Sequence, residues 1–226
     1  MVYFVYYFQR IYDMQKLIDQ LIEEGYLKTP AIIDAFRHVS RKDFLQDEIK
    51  DQATLNIPLP IRFGQTISQP LTVAFMLEHL QPQKGDIVLD VGTGSGWQAA
   101  MIAYIVGEKG RVIGIERIPQ LVQFARANVE KYNFPQLSIL FGDGTKGMPE
   151  EAPFDKIIVA AASNDDVPTD LVRQLAQGGK LLIPIGEWDQ ELLLLSKDKN
   201  NKLSRAMFPG FQFVPLIRGD QNLHIV

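Results

Sequence analysis

Ile87-Val88-Leu89-Asp90-Val91-Gly92-Thr93-Gly94-Ser95-Gly96 is the stretch that decides the fold of this 226-residue chain. A short apolar run with an acid in it gives way to glycine at alternate positions, and an Ala-rich helical pattern follows over 98–106. The run reads as a buried parallel strand, and the glycines allow a tight turn that brings backbone close to a ligand. The next strand pattern, over 111–115, ends in Glu116, twenty residues beyond Gly96. An acid at that distance can accept hydrogen bonds from both hydroxyls of a ribose. Together these features predict a Rossmann-like domain for a nucleoside-containing cofactor.

The glycine spacing argues against a dinucleotide. The fingerprint for a pyrophosphate is G-x-G-x-x-G, whereas here the third glycine comes one residue early and Trp97 occupies the fingerprint's last position. An NAD-dependent oxidoreductase is disfavoured on that ground, and no acid–base residue for hydride transfer lies near the turn. The acid-x-G-x-G-x-G form resembles the first motif of class I methyltransferases, which bind S-adenosylmethionine. A third strand pattern over 137–141 leads into Gly142-Asp143-Gly144, so three acid-bearing turns would ring one crevice at the sheet's carboxyl edge.

Outward from this centre, strand patterns at 87–91, 112–115, 137–141, 156–160 and 180–185 alternate with helical patterns at 98–106, 119–132 and 167–175. That alternation predicts an α/β, doubly wound, mostly parallel sheet covered on both faces. Beyond Gly186 the helices stop, and 191–196 with 206–216 read as an antiparallel terminal strand pair around the polar turn 198–202. Upstream, 16–24 has one apolar helical face with Gly25 as its stop. Thr29-Pro30 starts a second helix with a hydroxyl cap, and 71–80 has helical spacing after the loop 56–70. The expectation is one domain over 1–226, with 1–80 a helical and loop cap and 81–226 the Rossmann-like core.

Composition narrows the partners. The 23 basic and 27 acidic residues give a formal charge of −4, with no basic stripe of the kind that holds nucleic acid. Cysteine is absent, which removes disulfides, thiolate ligands and a cysteine nucleophile and fits a cytoplasmic location. His38, His79 and His224 have no metal-ligand spacing and read as surface, helix-end or tail residues. The aromatic segment Met1–Phe8 is too short to span a bilayer and lacks signal-peptide features, so it reads as an extra strand, a packed segment or an extension ahead of Met14. No membrane partner is expected, and a monomer is favoured.

A second motif, Pro58-Leu59-Pro60-Ile61-Arg62-Phe63-Gly64-Gln65-Thr66-Ile67-Ser68-Gln69-Pro70, lies just ahead of the cofactor core. Thr66 and Ser68 alternate, so in an extended stretch their hydroxyls share one side. The residues alone leave two readings open: hydroxyls that bind substrate, or Ser68 as a helix N-cap before Gln69-Pro70 with Thr66 a turn residue. Smaller signals have plain explanations. Trp188 reads as a solvent-edge loop residue more readily than a groove wall, and Phe208, Phe211 and Phe213 read as strand-pattern core.

Gly64-Gln65-Thr66-Ile67-Ser68-Gln69-Pro70 followed by the glycine turn resembles the protein-L-isoaspartate O-methyltransferase family. Ile115-Glu116-Arg117, Gly142-Asp143-Gly144, Pro153–Val159, Gly178–Leu181 and Phe213–Leu216 carry the same resemblance, which runs from about Met14 to about Arg218. It implies methyl transfer from S-adenosylmethionine, leaving S-adenosylhomocysteine, to the free α-carboxylate of L-isoaspartyl residues in damaged proteins and peptides. The ester then collapses to a succinimide. In site terms it implies Ser68, with Thr66, as the catalytic hydroxyls and Glu116 on the ribose. Asp143 would lie beside the adenine and the Gly92–Gly96 turn under the methionine part. Gln65, Ile67, Asp90, Gly92, Thr93, Gly94, Ser95, Gly96, Arg117, Gly142 and Gly144 complete the expected cofactor site, and no metal is implied.

The chain departs from the family pattern at Trp97, Leu71, Arg62-Phe63, Ile217 and Arg218, which bears on peptide preference more than on the reaction. Two other functions share most of these features. One is a same-fold methyltransferase with a small carboxylic acid or RNA as acceptor, and the other is a cofactor-binding adaptor without transfer.

Overall fold

The computed structural model describes residues 14–219, and the aromatic segment Met1–Phe8 and His224 lie outside them. The first described element, α1 (14–23), buries Leu17, Ile18 and Leu21. It stops at Gly25, whose φ of 77° lets the amides of Tyr26 and Leu27 turn back to the Leu21 carbonyl. Helix α2 (Pro30–His38) starts at the expected proline, but the expected hydroxyl cap is not made. Thr29 Oγ1 instead donates to Glu78 Oε2 at 2.7 Å, and the Lys28 and Thr29 amides donate to Glu78 Oε1. The Glu78 carboxylate holds the Thr29 hydroxyl as a charge-assisted donor, in place of a capping acceptor.

The segment expected as loop contains two short strands, β1 (Leu59–Pro60) and β2 (Thr66–Ile67), paired antiparallel, and it leads into α3 (Pro70–Leu80). The main sheet follows with β3 (Ile87–Val91), β4 (Arg111–Glu116), β5 (Leu137–Phe141), β6 (Phe154–Val159), β7 (Leu175–Ile185), β8 (Glu191–Lys197) and β9 (Leu203–Pro209). Between its strands lie α4 (Trp97–Val106), α5 (Pro119–Val129) and α6 (Thr169–Arg173). The strand order is β5-β4-β3-β6-β7-β8-β9, parallel through β7 and antiparallel for β7–β8–β9. The chain leaves β3 toward β4 and β5, then returns to place β6 on the other side of β3. That reversal opens a crevice at the carboxyl end of β3, where such sheets bind ligands.

Alternation along the strands separates two cores. Val88, Val112, Ile158 and Leu182 face a large cluster shared with α1 to α5. Leu89, Val91, Ile113, Ile115, Ile157, Val159, Leu181 and Ile183 face a smaller one closed by Leu171 of α6. Residues on both sides of position 80 share the larger cluster.

Two expected elements differ. The helix expected over 167–175 is only five residues long, because β7 begins at Leu175 and Pro168 stands before its first turn. The strand expected over 206–216 stops at Pro209. Pro209 and Pro215 lack ladder donors and Gly210 has φ 93°, so 210–217 bends back across the sheet's carboxyl edge. It is fastened there by Ala162 and Leu216, whose amides donate to the Val214 and Ala162 carbonyls, and by a two-way bond between Gln190 and the Phe213 backbone.

Candidate active site

The glycine turn begins where β3 ends, and Gly92, Gly94 and Gly96 have φ of 75°, 55° and 91°. Gly96 also has no room for a side chain: a Cβ there would lie 3.0 Å from Val129 and 3.4 Å from Ala125 on α5. The early third glycine therefore packs two helices together. Beneath the turn, Asp90 is fully buried. Its Oδ2 accepts from Thr93 Oγ1 at 2.6 Å and its Oδ1 from Gln98 Nε2 at 2.8 Å. Burial pushes its pKa up to about 6, partly opposed by these two bonds.

Glu116, at the end of β4, accepts from the Gly94 amide at 3.0 Å and the Ile118 amide at 2.9 Å. Burial raises its pKa, and the amide bonds from Ile118, Gly94 and Arg117 work against that rise. A carboxylate has about four acceptor positions, and with three amides bound Glu116 holds the turn and retains about one position for a ligand hydroxyl.

Opposite the turn stands the Gln65–Ser68 loop. Arg62, Phe63 and Gly64 all have positive φ and make the tight reversal between β1 and β2. Ile67 is buried beneath the loop, while Thr66 and Ser68 face the crevice. Ser68 is not the helix cap. Gln69 holds that position without a side-chain bond, and the Leu71 amide is capped by Asn56 Oδ1 at 3.0 Å. Among the described residues the hydroxyls of Thr66 and Ser68 have no intramolecular partner, so both are open to a ligand.

The crevice encloses about 1050 Å³. Gln65, Thr66, Ile67, Ser68, Gly92, Thr93, Gly94, Ser95, Glu116, Arg117 and Gly144 line it, which brings two motifs far apart in sequence face to face. Asp90, Gly96, Gly142 and Asp143 do not line it: Asp90 supports the turn from below and Gly96 packs on α5. Asp143 Oδ1 accepts from the Thr145 amide and hydroxyl, and its Oδ2 accepts from the Gly219 amide at 3.0 Å. Desolvation pushes its carboxyl up, but the bonds from Gly219 and Thr145 outweigh that and hold it below its ordinary value. Trp97, Leu71 and Ile217, three of the departures from the family pattern, are part of the wall. Trp188 stands on the rim at 81% exposure, so it is a solvent-edge residue and a crevice neighbour at once, and Phe211 and Phe213 line the crevice from the folded-back tail.

Sequence reasoning missed two residues that hold the loop, Asn56 and Arg41. Asn56 has no local signal, since it caps a helix fifteen residues downstream. Arg41 lies in the polar run Ser40-Arg41-Lys42-Asp43, which carries no sign of burial, yet it is fully buried and donates to carbonyls of the loop. The two described histidines are structural: His38 stacks on Tyr104 at 4.5 Å, and His79 packs between Phe75 and Phe208. Among the described residues no group of three potential metal ligands occurs, and no helix is long and apolar enough to cross a membrane.

Comparison with known proteins agrees with this geometry. The family model Protein-L-isoaspartate(D-aspartate) O-methyltransferase (PCMT) matches residues 12–221. A Methanopyrus kandleri protein-L-isoaspartate O-methyltransferase is 44% identical over 205 residues, covering 90% of each chain. A Pyrococcus abyssi protein of the same name is 44% identical over 205 residues, covering 90% of this chain and 94% of its own. Among solved structures, a Plasmodium falciparum protein assigned to the same activity, in complex with S-adenosyl-L-homocysteine, superposes with a TM-score of 0.80. It is 28% identical and covers 89% of this chain and 97% of its own.

Proposed function

The chain belongs to the protein-L-isoaspartate(D-aspartate) O-methyltransferase family, and from that premise we propose how its crevice performs the reaction. The enzyme transfers a methyl group from S-adenosylmethionine to the α-carboxylate of L-isoaspartyl residues in damaged proteins and peptides. The cofactor supplies a methyl already activated on a sulfonium, which passes to a carboxylate oxygen as the carbon–sulfur bond breaks. S-adenosylhomocysteine leaves, and the ester closes spontaneously to a succinimide.

Neither partner needs activation by a base, since the acceptor carboxylate is ionised at neutral pH. The protein's work is alignment and removal of water from the attacking oxygen. One observation carries the assignment of that work: Thr66 and Ser68, whose hydroxyls have no internal partners among the described residues, line the same crevice as the glycine turn. Ser68, helped by Thr66, donates to the acceptor carboxylate and fixes its in-line approach.

The remaining crevice chemistry fits the cofactor. Glu116 accepts from the ribose with its remaining acceptor position, and Gly92, Thr93, Gly94 and Ser95 bring backbone under the methionine part. Gln65, Ile67, Arg117 and Gly144 close around it. Gly142 and Asp143 act at the adenine end, where Asp143 Oδ2 keeps one acceptor position beside its bond to Gly219. Asp90 and Gly96 serve the cofactor indirectly, by fixing the turn.

Residues 1–80 work as a cap on the 81–226 core within one domain, a reading supported by the larger apolar cluster that both share. We take the enzyme to act as a cytoplasmic monomer on proteins and not on nucleic acid. Sedimentation, cell fractionation and an RNA acceptor control test those points. Transfer of labelled methyl to matched peptides with L-isoaspartate or L-aspartate at one position tests the whole reading. Base-labile methylation of the isoaspartyl peptide alone is expected, and cofactor binding without transfer to it would refute the assignment.

A further inference from the structure

Arg41 opens the short turn Arg41–Phe44, and its side chain has no exposure to solvent. Its Nη1 donates to the carbonyls of Ala53 at 3.2 Å and Leu55 at 2.9 Å. Its Nη2 donates to Ile57 at 2.8 Å, Ser68 at 3.0 Å and Ile67 at 3.5 Å. Among the described residues no carboxylate pairs with it, so a buried cation is balanced by carbonyl dipoles alone. The guanidinium plane lies over the Trp97 ring, 5.5 Å from its centre, and Trp97 is the first residue of α4, directly after the glycine turn.

The loop needs an outside anchor. Its own ladder is only two residues long, and a pairing that short cannot hold a backbone in place unaided. A planar guanidinium with fixed donor directions ties two backbone segments at a set separation, which an ammonium on a flexible stem cannot reproduce. Fixing the Ser68 carbonyl fixes the position of the same residue's Cα, and so limits its hydroxyl to the few staggered positions around that point.

We propose that Arg41 is a positioning residue for methyl transfer, whose guanidinium registers the Thr66–Ser68 hydroxyls against the glycine turn through Trp97. The inference rests on the role given to Ser68 above. Misplacement of a reacting group by about 1 Å costs on the order of a hundredfold in rate, so small shifts of this loop matter.

The test compares wild type with Arg41→Lys and Arg41→Gln, assayed well below each variant's unfolding midpoint. Wild-type activity on the isoaspartyl peptide is recorded first, so failure of the functional reading shows as an inactive wild type, whatever the variants do. The expected result is folded variants with unchanged S-adenosylhomocysteine affinity, lower kcat and raised peptide KM, together about ten- to a hundredfold in kcat/KM. In the background of Ser68→Ala the Arg41→Lys loss should largely vanish, because the two act through one hydroxyl. Variants that melt earlier but keep wild-type kcat and KM below that point would overturn the proposal, as would a loss of cofactor affinity parallel to the rate. If neither variant folds, amide exchange in the wild type decides. Amides of 65–68 exchanging as slowly as those of β3 support the anchor, and exchange at the rate of an open loop overturns it.

Discussion

The two walls of the crevice are built by opposite means. The glycine turn grows out of the central strand, and its supports, Asp90, Thr93 and Gln98, lie within eight residues of one another. The Gln65–Ser68 loop has almost no internal support and hangs from Arg41, while Asn56 caps the start of α3 just beyond it. A wall made from local sequence tolerates change in distant parts of the molecule. A wall held by distant partners can lose its geometry while the rest of the fold stands.

Gly96→Val should break the turn most completely, because a β-branched residue at φ 91° would also collide with Val129 and Ala125. A loss of about 3 kcal/mol in urea unfolding is expected, together with loss of cofactor binding. A variant that binds the cofactor normally would show that the turn is less constrained than its contacts indicate.

Asp90 gives the same wall a pH signature. Its native pKa of about 6 lies above the ordinary carboxylate value, so the native state holds this proton more tightly than the unfolded chain. Its contribution to stability is therefore full below about pH 4 and is lost as pH rises through about 6. The change is on the order of 3 kcal/mol by linkage. Asp90→Asn should flatten the stability profile across that window relative to wild type, and two parallel profiles would remove Asp90 as the cause.

Ser68→Ala and Glu116→Ala sharpen the contrast between the walls. Each removes hydrogen bonding to or from a charged group, worth about 1.5–3 kcal/mol. For Ser68→Ala the loss should appear in kcat/KM for the peptide with cofactor affinity intact. For Glu116→Ala it should appear first in cofactor affinity measured by calorimetry. Reversal of either assignment would mean that the walls have been given each other's roles.

The smallest expected effect is that of Asn56→Ala, which strips the N-terminal cap from α3 and costs about 1 kcal/mol in denaturant unfolding. Wild-type stability in this variant would indicate that water replaces the cap.

Where the sequence was readable, the reason was local. The five parallel strands, the cofactor turn and Glu116 follow from apolar period, glycine placement and the twenty-residue spacing. Where local signals misled, or as at Ser68 left two readings open, the cause was different. Thr29, Ser68 and the tail after Pro209 each carry a sound local signal that a distant partner overrides: Glu78 for the first, Asn56 for the second, and Ala162 with Gln190 for the third. No window of sequence around these residues contains the competitor.

The amino-acid sequence by itself therefore determined the α/β class, the cofactor turn and the pair of motifs that mark the family. It could do so because strand period and left-handed glycines are properties of neighbouring residues. Only the tertiary structure decided that Ser68 is free of helix capping, that Asp90 lies beneath the crevice and not in it, and that a buried Arg41 holds the loop in place. Those outcomes depend on burial and on which donor reaches an acceptor first in space, and neither is encoded in any single stretch of chain.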